Sequence, residues 1–146
     1  MRVLICGGPS ELEARYGREI EQRMHQPCRN LVGKDTLLEF LALLQRTTVL
    51  LSPDSGPAHM ATTVGTPVIG LYAATNPARS GPYYSRPWCV DRYALAAERL
   101  LGRPPEDLPW TTKIEQPGVM DLISVEDVLE RLDALMSAGA PRTPTG

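Results

Sequence analysis

Thr48-Val49-Leu50-Leu51-Ser52-Pro53-Asp54-Ser55-Gly56-Pro57-Ala58-His59-Met60-Ala61-Thr62-Thr63-Val64-Gly65-Thr66-Pro67-Val68-Ile69-Gly70-Leu71 is the stretch that decides the fold. Thr48-Val49-Leu50-Leu51 and Pro67-Val68-Ile69-Gly70-Leu71 are short apolar runs of the kind that form buried strands. Between them, Pro57 suits a first helical position and Gly65 suits the left-handed residue past a helix end. Strand, helix and strand in this order describe a parallel pair joined by a right-handed crossover.

The same alternation continues outward. Val3-Leu4-Ile5-Cys6 is a short apolar run halted by Gly7-Gly8-Pro9 and reads as a buried strand. Ser10 and Glu13 stand at capping-box spacing. Leu12, Tyr16, Ile20 and Met24 recur every four residues, so 11–25 is expected to be an amphipathic helix, ended by Pro27. A weaker strand follows near Cys28 to Val32. Thr36 and Glu39 form a second capping box, ahead of a helix whose apolar side is Leu37, Leu38, Leu41, Ala42 and Leu44. Tyr72 to Pro87, rich in proline, reads as a long ordered loop or several turns. Trp88-Cys89-Val90 reads as a short strand and Tyr93 to Leu101 as a helix. Ser124 caps a last helix carrying Val125, Val128, Leu129, Leu132, Leu135 and Met136. The fold expected is α/β with a parallel, Rossmann-like sheet.

Length and composition bound the rest. The 146 residues suit one domain, expected over 1–137, and the Gly/Pro/Thr-rich 138–146 reads as a disordered tail. Hydrophobic residues make up 42% and charged ones 22%, enough for a packed core. Lys and Arg number 15 against 17 Asp and Glu, a net charge of −2 with no basic face, which argues against nucleic acid and anionic membranes as partners. No run approaches the roughly 18 apolar residues of a membrane helix, so a soluble cytoplasmic protein is expected. Cys6, Cys28 and Cys89 form no CxxC pair and His25 and His59 stand apart, so neither a metal site nor a cofactor is expected.

In open α/β sheets, ligands bind beyond the carboxyl ends of the strands. Two loops lie there, Gly7-Gly8-Pro9-Ser10-Glu11 and Asp54-Ser55-Gly56-Pro57-Ala58-His59. In the second, Gly56 lets an oxygen-rich ligand approach the backbone, and the helix that follows offers free N–H groups and partial positive charge to a phosphate. Ser55 can donate its hydroxyl and His59 can aim an imidazole at the same anion. Asp54 suits sugar hydroxyls or the loop turn better than a phosphate. The competing reading is that Asp54 and Ser55 cap the helix and His59 is an ordinary surface residue.

Leu31-Val32-Gly33-Lys34-Asp35-Thr36-Leu37-Leu38-Glu39, Asp54-Ser55-Gly56-Pro57-Ala58-His59, Gly65-Thr66-Pro67-Val68 and Thr75-Asn76-Pro77-Ala78-Arg79 resemble glycosyltransferase family 9, the ADP-heptose:lipopolysaccharide heptosyltransferases. The resemblance runs from about Val3 to Met136. It implies the C-terminal, donor-binding half of a two-domain GT-B fold, here without that domain's first strand. It implies that Ser55, Gly56 and His59 surround the diphosphate, Asp54 contacts the transferred sugar, Glu11 holds the ribose hydroxyls, and Asp35, Thr36 and Leu37 border the adenine. For Glu11 the residues alone favour a first-turn helix charge. No residue of this chain matches the family's catalytic base, a carboxylate of the N-terminal, acceptor-binding domain.

The implied ligand is ADP-heptose or a related nucleotide sugar, with adenine against uridine left open. The implied partners are a separate N-terminal acceptor domain and a second copy pairing through an exposed sheet edge. The chain departs from the family at Pro53, where a residue with a backbone N–H is usual, and at Ala73-Ala74-Thr75-Asn76-Pro77, against a usual G-P-T-D-P. Expected alone, the polypeptide is an inactive donor-binding half. The alternatives are a nucleotide-binding module and a truncated gene product. UDP-N-acetylglucosamine 2-epimerases share a D-S-G motif but fit less well at His59 and at Thr75 to Arg79.

Overall fold

The computed structural model describes residues 2–139, so residues 140–146 of the expected tail lie outside the described residues. Among the described residues five strands and six α-helices alternate up to α5, with α6 last: β1 (Val3–Ile5), α1 (Glu11–Arg23), β2 (Cys28–Asn30), α2 (Leu37–Arg46), β3 (Leu50–Pro53), α3 (Gly56–Thr63), β4 (Val68–Tyr72), α4 (Pro77–Ser80), β5 (Val90–Asp91), α5 (Tyr93–Ala96) and α6 (Val125–Ser137). Every strand pairing is parallel, as the alternating pattern requires. The strands form two sheets, of order β1-β2 and β3-β4-β5. The chain divides into two compact units, one up to Phe40 and one from Leu41 onward.

In the first unit, β1 pairs with β2 from Val3 opposite Cys28 to Ile5 opposite Asn30. β1 is not the wholly buried strand its apolar run suggests: it alternates, and Leu4 is exposed. The Ser10 hydroxyl caps α1 by accepting the Glu13 N–H at 3.2 Å. The box is half made, because the Glu13 carboxylate lies over Gly8, where an added Cβ would sit 2.7 Å from Oε2. The expected apolar stripe is present but not buried: Leu12, Tyr16 and Ile20 are 52%, 49% and 48% exposed. The buried residue of α1 is Gly17, where a Cβ would lie 2.8 Å from a Val32 methyl and 3.2 Å from the Asn30 amide. The approach of helix to strand β2 runs over the position with no side chain, which turns the periodic apolar face outward.

The second capping box is complete. Thr36 donates its N–H and hydroxyl to Glu39 Oε2, each at 2.8 Å, and Glu39 N–H returns to the Thr36 hydroxyl at 3.3 Å. Those bonds hold the Glu39 carboxyl below its usual range, the backbone donor most of all. Leu37 and Leu38, expected on the apolar side of α2, are 70% and 77% exposed, while Leu44 of the second unit is buried.

The core of the second unit sits around β4, whose Val68, Ile69 and Tyr72 are fully buried. β3 begins two residues later than the apolar run suggests and takes in Pro53, which stands opposite Leu71. As the edge of its sheet, β3 tolerates a residue without an N–H. Gly70 is a packing requirement: a Cβ would meet the Tyr72 ring at 2.5 Å and Cys89 Sγ at 2.9 Å. The buried Ser85 hydroxyl accepts Val68 N–H at 3.0 Å inside the core. The stretch after β4 resolves into α4 and a 3-10 helix, Tyr83–Trp88, so the expected strand at 88–90 starts only at Val90. α5 runs on as a π-helix, Ala97–Leu101, closed by left-handed Gly102. Ala73, Tyr93, Ala96, Ala97, Ile114 and Val119 form a second apolar cluster. α6 carries a capping box between Ser124 and Asp127, and Arg92 grips the Asp127 carboxylate through Nε and Nη2. Among the described residues no helix is long and apolar enough to cross a membrane.

Candidate functional site

β3 ends at Pro53 and α3 begins at Gly56, so two residues, Asp54 and Ser55, make the turn at the carboxyl edge of the sheet. Ser55 occupies the N-cap with extended backbone (φ −156°, ψ 165°), yet its side chain makes no capping bond. Its hydroxyl instead lies 2.8 Å from the Ser52 hydroxyl and donates to the Pro53 carbonyl at 3.2 Å. The competing reading of the sequence, in which Asp54 and Ser55 cap the helix, is therefore not what the geometry shows for Ser55. Pro57 has no N–H and Ala58 N–H is spent on the Ser55 carbonyl at 3.1 Å, which leaves the Gly56 N–H without a partner among the described residues, at the positive end of α3.

Gly56 is exposed and a Cβ built on it would have nothing within 4 Å. Internal packing therefore does not demand a glycine there, in contrast to Gly70. His59, one turn further on, is exposed and its imidazole makes no hydrogen bond among the described residues. Asp54 is half-buried and accepts the Ser80 hydroxyl on Oδ2 at 2.7 Å, a bond from α4 across 26 positions. Its charge, with burial as the larger cause, pushes the Tyr72 phenol well above its ordinary value. Asp54, Ser55, Gly56 and His59 thus lie together on one turn and the first turn of a helix. Such an arrangement can bind an anion at Gly56 and His59 and hydroxyls at Asp54.

The remaining candidates belong to the first unit. Glu11 is exposed at the first position of α1, where its charge favours the helix. Asp35 is half-buried, and with burial as the larger cause it raises the Cys6 thiol above its ordinary value. Thr36 is engaged with Glu39 on both its donors, which leaves Leu37, 70% exposed, as the apolar surface of that segment. Among the described residues no group of three or more His, Cys, Asp and Glu stands together as a metal site would need.

Sequence reasoning missed Ser80 and Ser52. Ser80 carries no local signal, since its tie to Asp54 exists only once α4 folds back beside β3. Ser52 lies within the strand pattern, and its burial beside Ser55 depends on which face of β3 turns inward.

The model of Glycosyltransferase family 9 (heptosyltransferase) matches residues 1–110. The lipopolysaccharide core heptosyltransferase OpsX of Haemophilus influenzae is 40% identical over 135 residues, which are 92% of this chain and 39% of that protein. Lipopolysaccharide heptosyltransferase 3 of Escherichia coli K12 is 28% identical over 141 residues, 95% of this chain and 38% of that one. A crystal structure of a family 9 glycosyl transferase from Veillonella parvula superposes with a TM-score of 0.70 at 21% identity, covering 94% of this chain and 37% of that chain. The last likeness shows the parallel α/β fold. The chain spans about two fifths of the length of the relatives it matches. With three quarters of its residues under the family model, this chain belongs to glycosyltransferase family 9.

Proposed function

We propose that this chain is the nucleotide-sugar-binding part of a lipopolysaccharide-core heptosyltransferase. The N-terminus of α3 grips the pyrophosphate through the Gly56 N–H, His59 and the Ser55 hydroxyl, which turns its proton from the Pro53 carbonyl to the phosphate. Asp54 accepts hydroxyls of the sugar to be transferred. In the first unit, Glu11 accepts ribose hydroxyls and Asp35 to Leu37 border the base. The observation that carries this reading is the uncapped start of α3, with open space at Gly56 where the fold itself has no use for a glycine. The names of the relatives supply the sugar.

In the reaction so assigned, an acceptor hydroxyl attacks the anomeric carbon with inversion while the nucleoside diphosphate leaves. The residues here act on the leaving group: the Gly56 N–H, the helix dipole and the His59 imidazole sit where diphosphate charge develops. None of them takes the proton of the acceptor hydroxyl, and loss of a general base costs on the order of 10²–10⁴ in rate. The 146-residue chain alone is therefore expected to bind ADP without transferring heptose. Calorimetry with ADP tests the site: His59→Ala weakens binding, and an unchanged affinity would refute the phosphate role. Turnover of ADP-heptose at the level of a full-length relative would refute the division of labour.

A further inference from the structure

A second concavity, of about 370 Å³, lies within the second unit, between the start of α4 and the segment 105–110. That volume falls within the roughly 300–1,000 Å³ of small-molecule pockets. Its walls are of two kinds. Trp110, 60% exposed, presents an indole beside Pro105, Pro109 and Leu108. Asn76 and Glu106 supply the polar groups.

Asn76 spends its Oδ1 on the Ala78 N–H at 2.9 Å as the cap of α4, which leaves its NH2 with two donors and no partner among the described residues. Glu106 is exposed and its carboxylate makes no hydrogen bond or ion pair among those residues. Tyr93 closes the floor, buried, with its hydroxyl donating to the Thr112 carbonyl at 3.1 Å.

We propose that this cavity is a saccharide subsite, in which a pyranose lays its C–H face on Trp110 and shares its hydroxyls between the Glu106 carboxylate and the Asn76 amide. The chemistry favours a sugar over a nucleobase because the cavity has one open aromatic face rather than a slot between two. An exposed carboxylate can accept two neighbouring hydroxyls while the amide donates to a third. Position agrees with this. α4, which begins beside Asn76, ends at Ser80, whose hydroxyl is bonded to Asp54. The cavity thus lies one short helix away from the turn assigned to the sugar nucleotide, and the proposal rests on that assignment only for the origin of the sugar.

Two sources carry such a ring, an oligosaccharide acceptor and the nucleotide sugar itself. The test uses the Trp88→Phe protein, in which Trp110 is the one remaining tryptophan. Its emission is titrated with lipopolysaccharide core oligosaccharide freed of lipid, with ADP-glucose and with ADP. Calorimetry on the parent sequence and on Asn76→Asp and Glu106→Gln runs in parallel; the first keeps the α4 cap and loses the donors, the second keeps the shape and loses the charge. A saturable change with the oligosaccharide, weakened about tenfold or more in both variants, supports an acceptor subsite. A change with ADP-glucose but not ADP, weakened in the same variants, supports the saccharide pocket and overturns the assignment of the donor's sugar to Asp54. If neither sugar moves the emission, or both variants bind as the parent does, the proposal is overturned. ADP binding is expected to be unaltered in both variants. Loss of ADP binding in the parent, with oligosaccharide still bound, would overturn the pyrophosphate assignment and leave the saccharide pocket standing.

Discussion

Replacing Gly56 with alanine separates folding from binding at the α3 turn. A methyl group at that position meets nothing of the protein within 4 Å, and the backbone there is not in the left-handed region that favours glycine. Folding is therefore unharmed, and the stiffer unfolded chain adds about 0.4–1 kcal/mol. At roughly 2–4 °C per kcal/mol for a chain of this size, Tm rises by about 1–4 °C. Binding moves the other way. The methyl stands where a phosphate must approach to reach the Gly56 N–H. A lost hydrogen bond to a charged group is worth about 1.5–3 kcal/mol. At about 1.4 kcal/mol per tenfold, the Kd for ADP weakens about 10- to 150-fold. Thermal melts and calorimetry on the same Gly56→Ala sample read both quantities. Unchanged ADP affinity would show that the phosphate does not sit at this turn. A Tm lowered by several degrees would show that the glycine serves the fold after all.

Gly70→Ala is the contrasting case: its Cβ would lie 2.5 Å from the Tyr72 ring, so a stability loss of about 1–3 kcal/mol is expected in a denaturant titration. Acid should weaken the anchoring of α6. The Ser124 N–H, and then Arg92, hold the Asp127 carboxyl below its ordinary 3.8, so its stabilisation is full above that value and disappears as pH falls through the lowered one. Melts from pH 6 down to about pH 2 should show this fall, and it should be shallower in Asp127→Asn. Cys89 is buried, and burial, only partly offset by the Gly70 backbone, pushes its thiol up to about 11. In the native state at neutral pH it should react with a thiol reagent far more slowly than Cys28, and a single fast phase for all three thiols would contradict its burial.

The parts of the fold legible in the sequence are those fixed by neighbours in the chain. The caps at Ser10, Thr36 and Ser124 and the order of strands and helices depend on residues within one turn of each other. What the pattern could not give is the partner of each apolar face. Leu12, Tyr16 and Ile20 announce an amphipathic helix, but the contact with β2 is set by Gly17, Val32 and Asn30, which no periodicity ranks. Likewise the four residues 54, 55, 56 and 59 could be named because they share one turn. The Ser80 bond to Asp54 and the grouping of Asn76 with Trp110 join residues distant in the chain, through loops whose course proline and glycine leave open.

The Ser80–Asp54 bond has an energetic corollary. The Ser80 hydroxyl occupies Oδ2 of Asp54 at 2.7 Å and leaves Oδ1 without a partner among the described residues, so an incoming hydroxyl can be accepted there while the internal bond stays closed. Held from one side by Ser80, the carboxylate keeps one orientation before any ligand arrives, and under the proposed role little side-chain freedom remains to be lost on binding.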